Sequence, residues 1–462
     1  LLELPQYYYR LLEFMAQWKM NTLILHFSDD HGCALNLPGF EKLAMPRAWE
    51  PDELQAFLSF AASRGIEVIP ELETFGHTRY ITDKPEYRHL SAGKRTKEIH
   101  FNAIDPLHED THDLMFQLIQ AVANAFPSRY IHIGCDEVDI DEYCQQRNLA
   151  SDIVWADYVN QMTDIVRDFG KPPMIWADHV VKSDLVASRL QKDIVLIEWR
   201  YDDRITDDII PRLQRFGFKD ILVAPSLACY SDRFLPTRRR LENTNRMVAI
   251  AKENQVSGLI NTIWCPYRYL QNAMYYGIAY SACAVQQGTY PDLVAFHEQF
   301  ALKTFGTDLL PSLAFFLDNW TDLTIDLALS KKITQPSQTL SEIELQRVQK
   351  MVQIGEEVLH TAHDFVPLKN QDIWRGMLLS AKCAWLCAES LFDRQTDKPS
   401  VVESENHTRQ VFNVQKEMDL EWDRTRYPDD PQKYSAYFPN ESDQYAMLLI
   451  KQLVDDTAIN QL

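Results

Sequence analysis

The feature of this sequence that most limits its fold is a repeat of short apolar segments separated by amphipathic ones. Between Pro5 and about Gln287, seven short segments are nearly all apolar and rich in β-branched residues. Strands that are covered on both faces, as in a parallel sheet flanked by helices, have this composition. The predicted strands are TLILHF (22–27), IEVIP (66–70), YIHIG (130–134), PMIWA (173–177), IVLIEW (194–199), DILVAP (220–225) and GLINTIW (258–264).

Amphipathic segments between these strands predict the helices of a βα repeat. Seven strands with a leading helix predict an α/β fold, a (β/α)8 TIM-type barrel whose first strand would lie upstream of residue 1. A doubly wound sheet is the alternative, but the chain lacks the Gly-rich phosphate turn that is typical of such sheets. The predicted helices lie around 5–19, 51–64, 111–126, 155–169, 206–216, 238–254 and 270–287.

After about Thr289 the strand pattern stops and helical periodicity replaces it. We therefore expect two domains, a (β/α)8 barrel catalytic domain at 1–289 and a mostly α-helical C-terminal domain at 290–462. Trp374 and Trp422 are predicted to belong to the core of the second domain rather than to cap the barrel pocket. Its helices are predicted near 292–305, 309–328, 340–362, 371–392, 404–424 and 442–456.

The charge and composition of the chain exclude several classes of partner. A formal net charge of -20 argues against nucleic acid, because phosphate binding needs a concentrated basic surface. The one basic cluster, Arg238-Arg239-Arg240, is expected to lie on a solvated helix face. No apolar run approaches the roughly 18 residues that could span a bilayer, so we expect a soluble protein with no membrane partner, the cytoplasm being slightly favoured over secretion. The oligomeric state is left open, with a homodimer as one option.

The eight cysteines show neither the spacing of a zinc site nor that of a disulfide framework. Small buried thiols are the expected explanation for them. We therefore expect no metal.

Carboxylates and aromatic side chains recur where the predicted strands end, and in a barrel these ends form one face. Taken singly, Asp29-Asp30 could be a helix cap and a tryptophan could be core packing. Together they suit a sugar pocket, in which acidic groups bind hydroxyls and flat rings support a pyranose. The main members are His26, Asp29, Asp30, Glu71, Glu73, His77, Asp136, Glu137, Trp176, Asp178, Glu198, Trp199, Tyr230, Asp232 and Trp264.

The adjacent acids Asp136 and Glu137 are unusual for a sugar hydrolase. Most glycosidases hold two carboxyl groups on opposite sides of the anomeric carbon, about 5 Å apart or more. Side chains of neighbouring residues that leave a strand diverge, which predicts that these two address different atoms of the substrate. A substrate that brings its own nucleophile, a 2-acetamido group, would resolve the problem.

Several motifs here resemble glycoside hydrolase family 20, the β-N-acetylhexosaminidases. YIHIGCDEV matches the family's H-x-G-G-D-E motif, with Cys135 in place of the second glycine. MAQWKMNTLILHFSDDHG is similar to its K-x-N-x-L-H-x-H-x-x-D-D segment, and VIPELETFGH to its I-P-E-x-D-x-P-G-H segment. PMIWAD, EWR, CYSD and TIWC then fall where family members place Trp, Trp, Tyr-x-Asp and Trp. The resemblance covers roughly residues 5–287 and looks closest to the short, hexosaminidase D-like type.

The resemblance implies a retaining, exo-acting hydrolase of terminal GlcNAc or GalNAc that works through an oxazolinium intermediate without a metal or organic cofactor. Glu137 would be the general acid and then the base. Asp136 would orient the acetamido N–H, and Tyr230 would donate a hydrogen bond to the acetamido carbonyl oxygen. The tryptophans would box the methyl group, Asp232 would hold a hydroxyl, and the other polar groups would support the acid pair. The implied substrate-binding set is Asp29, Asp30, His77, Trp176, Trp199, Asp232 and Trp264.

Two departures from the family pattern leave alternatives open. The chain has no equivalent of the arginine of the family's first strand, and Pro266 stands where an acidic residue is common. A lacto-N-biosidase-like relative, an enzyme specific for sulfated GlcNAc and a non-catalytic sugar-binding barrel therefore remain as alternatives. A general-base lyase or a metal hydrolase on the same barrel is a more distant one.

Overall fold

A sheet of seven parallel strands lies at the centre of the fold, and each strand pairs with the next one along the chain. The computed structural model describes residues 3–93, 103–201, 208–335, 337–396, 401–428 and 445–459. Each of the seven predicted segments contains, to within one residue, one strand of this sheet. The strands are β1 (Thr22–His26), β2 (Glu67–Glu71), β3 (Ile131–His132), β4 (Pro173–Trp176), β5 (Val195–Trp199), β6 (Ile221–Ala224) and β7 (Gly258–Leu259).

The sheet curls until its two edges approach each other. β1 and β7 are the edge strands, and the rings of His26 and Trp264, at and just beyond their C-terminal ends, lie 5.2 Å apart. Among the described residues no strand fills the place between β7 and β1 that an eighth strand takes in a (β/α)8 barrel. The predicted TIM-type architecture is confirmed, with seven of its strands present.

Alternation along each strand separates the interior of the barrel from its outer surface. In β5, Val195 and Ile197 belong to an interior apolar cluster, whereas Leu196 packs into the larger cluster shared with the helices. The buried members of the interior cluster are Ile69, Met174, Trp176, Val195, Ile197 and Ala224. This apolar interior lies beneath the polar strand ends and supports them.

Helices cover the outer face of the sheet. Glu50 and Glu53 form a capping box with Pro51 at the first helical position, which fixes the start of one of them. The last barrel helix is buried along almost its whole length because other helices cover its outer side, and it ends at Gly288 with φ 61°. The main barrel helices are Pro5–Gln17, Pro51–Ser63, Glu109–Ala125, Ser151–Asp168, Ile209–Arg215, Arg238–Glu253 and Gln271–Gln287; the start predicted at 206 lies outside the described residues.

Helices also dominate the chain after residue 289. They are Leu293–Phe300 with a π-helical turn at Ala301–Phe305, Pro311–Asn319, Leu327–Thr334, Glu342–Ala362, Gln371–Thr396, Val401–Thr425 and Ala446–Ile459. The start predicted at 442 lies outside the described residues. The division into two domains at residue 289 stays a prediction. No helix in the described ranges is long and apolar enough to cross a membrane.

The C-terminal helices pack closely against the barrel. Arg426, fully buried under the ring of Trp422, donates hydrogen bonds to the carbonyl oxygens of Pro266 (2.5 Å) and Tyr269 (3.0 Å). These carbonyls belong to the loop after β7. The prediction that Trp374 and Trp422 are core residues is confirmed, since they are 6% and 0% exposed.

Three predictions need correction. The strand predicted at 258–264 is split into two short strands. Gly258–Leu259 pairs with β6, whereas Thr262–Ile263 pairs with Ser226–Ala228. The helix predicted at 309–328 is interrupted by a short strand, Ile325–Asp326, which pairs with Asp232–Arg233. Arg240 is buried rather than solvated, because its guanidinium satisfies groups of the β6 loop.

Short elements that the sequence did not predict surround the strand ends. A three-stranded sheet follows β1, and short helices follow β2, β3 and β4. They are Ser28–Asp29, Gly32–Leu35, Ala44–Trp49, Arg79–Thr82, Pro85–Leu90, Asp141–Gln146, Asp178–Lys182 and Asp184–Arg189.

Candidate active site

The segment after β3 turns sharply and carries the two adjacent acids. Its regular strand ends at His132, and Gly134, Cys135 and Glu137 have φ of 66°, 75° and 48°. A side chain on Gly134 would collide with the buried carboxylate of Glu73. Only glycine adopts such φ values without cost, so the two non-glycine residues store backbone strain, a feature that clusters at functional sites.

This turn overrules the expectation that the side chains of Asp136 and Glu137 diverge. Their backbone is not extended, so the alternation of a strand does not apply. Nε2 of His77 lies 3.7 Å from Oδ2 of Asp136 and 3.5 Å from Oε2 of Glu137. The closest ionisable atoms of the three side chains all lie within 4.8 Å of one another. The two acids therefore share one histidine and one side of the site.

His77 is held in this position by Asp30. Its Nδ1 lies 3.0 Å from Oδ2 of Asp30, whose other oxygen accepts the backbone N–H of Arg79 at 3.1 Å. Burial alone would lower the pKa of His77, but Asp136 and Asp30 raise it well above its usual value. Asp30, His77, Asp136 and Glu137 together form what we call the charged wall.

Asp136 lies in a buried and highly charged environment. Burial raises the pKa of its carboxyl group to about 7 against the opposing charge of His77, and Asp178 adds to the rise. Asp178, two residues beyond β4, also accepts the backbone N–H of Glu137 at 3.3 Å. Oδ1 of Asp136 is buried and has no hydrogen-bond partner among the described residues.

The side chain of Asp29 contacts different residues from the side chain of Asp30. Its oxygens contact Nε2 of His26 at 3.3 Å and the backbone N–H of His31 at 2.6 Å. His26 in turn contacts Glu71, the last residue of β2, at 3.2 Å. The structure thus connects Asp29 to a second polar group inside the barrel, away from His77.

Glu71 links this inner group to the aromatic side of the site. Its Oε1 accepts a hydrogen bond of 2.7 Å from Nε1 of Trp176. Burial alone would raise the pKa of Glu71, but the neighbouring histidines, His26 first, lower it to about 2. Trp176 is therefore fixed by a buried, ionised acceptor.

Four aromatic residues form a second cluster at the strand ends, which we call the aromatic wall: Trp176, Trp199, Tyr201 and Trp264. The rings of Trp176 and Trp264 lie 6.0 Å apart at 61°, and Trp264 donates its Nε1–H to the hydroxyl of Tyr201 at 2.7 Å. The ring of Tyr201 lies 5.0 Å from that of Trp199. The three predicted tryptophans are thus in one connected cluster.

Asp232 and Tyr230 lie at the loop after β6. Asp232 is buried and paired with Arg240, whose Nε is 2.5 Å from its Oδ2. Arg240 also donates to the hydroxyl of Ser231 and to the carbonyl oxygen of Tyr201. The ring of Tyr230, by contrast, is 60% exposed, and neither residue has a described contact with the charged wall.

Comparison with known proteins identifies the family. Residues 5–271, more than half of the chain, match the sequence profile described as "Glycosyl hydrolase family 20, catalytic domain". The chain belongs to glycosyl hydrolase family 20.

Relatives in this family are similar over part of their length. "Beta-hexosaminidase subunit beta" of Homo sapiens is 25% identical over 243 residues, which cover 46% of this chain and 41% of that protein. "Beta-hexosaminidase" of Vibrio furnissii is 26% identical over 264 residues, with 48% and 41% covered. The matched region thus spans about two fifths of these curated relatives.

A solved structure of similar fold is the Flavobacterium johnsoniae chitobiase. It superimposes with a TM-score of 0.51 at 14% identity and covers 98% of this chain and 76% of its own. This is a likeness of fold alone. It agrees with the family-20 barrel that the strand order describes.

Tyr201 is a residue of the aromatic wall that the sequence prediction did not name. It follows Trp199 by two positions, so it continues the inward-facing series of β5, and this alternation was the available signal. Asp178 was recognised at a strand end but given no role, and its bond to the backbone of Glu137 depends on a turn that periodicity does not reveal.

Proposed function

We propose that this protein is an exo-acting, retaining β-N-acetylhexosaminidase that removes terminal GlcNAc or GalNAc by substrate-assisted catalysis. The observation that carries the proposal is the unequal exposure of the two acids on the charged wall. The side chain of Glu137 is 37% exposed, whereas that of Asp136 is 16% exposed and has one buried oxygen without a described partner. A general acid and base that exchanges protons with water has to be accessible, as Glu137 is. A carboxylate that binds an enclosed amide group has to be buried, as Asp136 is.

The roles follow from the two environments. Glu137 would protonate the glycosidic oxygen while the acetamido carbonyl oxygen attacks the anomeric carbon, so the C1–O bond to the leaving group breaks as the oxazolinium ring forms. Asp136 would accept the amide N–H at its unpartnered Oδ1 and stabilise the positive charge. Glu137 would then remove a proton from water, which adds at C1 and reopens the ring with overall retention.

The spacing of the acids is compatible with retention and disfavours inversion. Their closest oxygens lie within 4.8 Å, less than the roughly 6.5–9.5 Å that inverting enzymes keep for a water molecule. The aromatic wall offers flat apolar faces for the methyl group and the sugar ring. The beta-hexosaminidase names of the relatives support the same substrate class.

Asp232 remains our proposed partner for a sugar hydroxyl, with Arg240 beside it as a fixed cation. Asp29 would act indirectly, through His26. The resemblance gives the donor to the acetamido carbonyl oxygen as Tyr230, but that ring would first have to leave its 60% exposed position. No observation favours the disaccharide-releasing, sulfate-specific, non-catalytic or lyase alternatives.

The test is release of 4-nitrophenol from β-GlcNAc, β-GalNAc and β-glucose glycosides by wild type, Glu137→Gln and Asp136→Asn. We expect cleavage of the N-acetyl sugars only, and a loss of about 10²–10⁴-fold in kcat for each variant. Equal cleavage of the glucoside would exclude assistance by the acetamido group. Binding of GlcNAc-thiazoline by all three proteins would show that the variants still form the pocket.

The distances within the charged wall also suit a divalent cation, so metal dependence needs its own control. We propose no cofactor. Dialysis against EDTA should leave the cleavage rate unchanged, whereas loss of activity that Zn²⁺ or Mg²⁺ restores would favour a metal hydrolase.

A further inference from the structure

A short helix, Asp178–Lys182, follows β4 after a single residue and contacts the backbone of the segment that carries the two acids. The backbone N–H of Glu137 donates a hydrogen bond to Oδ2 of Asp178 at 3.3 Å. The next backbone N–H, that of Val138, donates one to Nε2 of His179 at 3.1 Å. Two consecutive side chains of the helix therefore hold two consecutive amides, and one of these amides belongs to the proposed acid and base.

The segment 134–138, which we call the acid turn, is also in contact with the chain that follows β2. A side-chain carbon added to Gly76 would lie 2.5 Å from the carbonyl oxygen of Asp136 and 3.2 Å from Cγ2 of Val138, so the backbone at residue 76 packs directly against the turn. β2 and β4 are the two neighbours of β3 in the sheet. The segments that follow both neighbouring strands thus contact the strained backbone.

His179 can accept the hydrogen bond only while its ring is neutral, because both ring nitrogens of a protonated histidine are donors. Burial lowers the pKa of His179 below its usual value, and this effect outweighs the opposing carboxylate of Asp178. Smaller effects on the pKa come from Lys182, Asp152 and Asp141. The ring is therefore neutral at neutral pH, and since Nε2 accepts, the ring hydrogen is on Nδ1.

A second contact fixes the plane of the His179 ring. It stacks on the ring of Trp155, with the centroids 4.9 Å apart and the planes at 21°. Trp155 is 1% exposed and belongs to the helix Ser151–Asp168, so it is a rigid support. An acceptor that is oriented in this way is preorganised, and a displacement of about 1 Å at a reacting group can cost about 10²-fold in rate.

We infer that His179 is a positioning residue of the reaction, whose Nε2 lone pair holds the acid turn so that Glu137 keeps the geometry it needs for proton transfer. The inference rests on the proposed function. Glu137 has φ 48°, a conformation that persists only where the surrounding structure holds it. Asp178 holds the preceding amide but also raises the pKa of Asp136, so a change at His179 isolates the effect of position more cleanly.

The experiment uses two variants of the full chain that separate the acceptor from the ring. His179→Gln loses the ring but can present its amide oxygen to the N–H of Val138, whereas His179→Phe keeps a ring to stack on Trp155 and has no acceptor. We expect kcat for phenyl β-GlcNAc to fall about 10–100-fold in His179→Phe and less than about 3-fold in His179→Gln, with KM little changed in both. His179→Leu, which lacks both the acceptor and the ring, should lose at least as much as His179→Phe.

The leaving group supplies a readout that a purely structural role would not change. 4-Nitrophenolate leaves with little help from an acid, whereas phenolate needs protonation of the glycosidic oxygen by Glu137. The loss in His179→Phe should therefore be larger for the phenyl than for the 4-nitrophenyl glycoside, and His179→Gln should keep the wild-type ratio of the two rates. An equal loss for both glycosides, or a larger loss in His179→Gln than in His179→Phe, would overturn the inference.

The proposed function and this inference fail in different ways. If wild type cleaves no N-acetyl glycoside, the proposed function is wrong and the inference falls with it. If wild type is active and His179→Phe keeps its rates, only the role of His179 is wrong. Urea unfolding of each variant checks that a loss of rate is not a loss of folded protein, and His179→Leu takes the place of His179→Phe if the phenylalanine variant does not fold.

Discussion

The charged wall and the aromatic wall are built in different ways. The aromatic wall comes from strand ends and the residues that follow them, so Trp176 and Trp199 continue the regular inward alternation of β4 and β5. The charged wall is carried by turns, and His77 and Glu137 have φ of 50° and 48°. One wall is regular and the other is strained.

The difference shows what each wall requires of the chain. The flat rings of the aromatic wall only need closely packed side chains beneath them, and the apolar interior of the barrel supplies these. The two carboxylates differ in exposure but share one histidine, and the backbone that holds them is irregular. Each residue in such a strained conformation costs of order 1–3 kcal/mol of folding free energy. The folded barrel must compensate for that strain elsewhere.

After the two acids themselves, the largest expected effect comes from His77→Asn, which removes the shared group of the charged wall. Its charge lowers the pKa of Asp136, so that pKa should rise above about 7 in the variant. Since the ionised form of Asp136 is the one proposed to act, the acid limb of kcat/KM should move to higher pH, with a loss of about 10²-fold at neutral pH.

The pH–rate profile of His77→Asn should be measured beside that of His89→Asn. His89 is also close to a carboxylate, 3.2 Å from Asp110, but both side chains are at least half exposed and the pair is outside the site. An acid limb that stays in place, or moves to lower pH, would contradict the proposed coupling across the charged wall.

A medium effect on stability is expected from Trp176→Phe. The change leaves the buried carboxylate of Glu71 without the indole donor, which should lower the free energy of unfolding by about 1.5–3 kcal/mol beyond the loss of packing. Trp199→Phe is the matched change, because the Nε1 of Trp199 has no hydrogen-bond partner among the described residues. Urea unfolding should place Trp176→Phe clearly below Trp199→Phe, and equal values would mean that the bond to Glu71 contributes little.

The smallest effect is expected at Cys135, where the backbone has φ 75°. Cys135→Gly relieves the strain of about 1–2 kcal/mol but loses a fully buried thiol, so its stability should stay within about 1 kcal/mol of wild type. Cys135→Ala keeps the strain and also loses the sulfur. The glycine variant should therefore unfold at higher urea than the alanine variant, and the reverse order would show that the turn carries no such strain.

Periodicity in the sequence predicted the regular parts of the molecule. The positions of the seven strands follow from short apolar runs and those of the barrel helices from a period of about 3.6, and the four residues of the charged wall follow from their place after strands. The turn at 134–137 and the break at Ile325–Asp326 depend on φ values and partners distant in the chain, which periodicity does not report. Arg240 was misjudged for a similar reason, since a run of three arginines gives no sign that one of them pairs with Asp232 inside the protein.

The hydrogen bonds from Arg426 to the loop after β7 affect when this loop can fold during translation. Pro266 and Arg426 are 160 positions apart, so the ribosome needs roughly 10–30 s to add the second after the first. Until then the loop that follows Trp264 lacks the guanidinium that holds its carbonyl groups. The barrel strands can pair as they emerge, but the loop that follows Trp264 should reach its final form only after Arg426 has been synthesised.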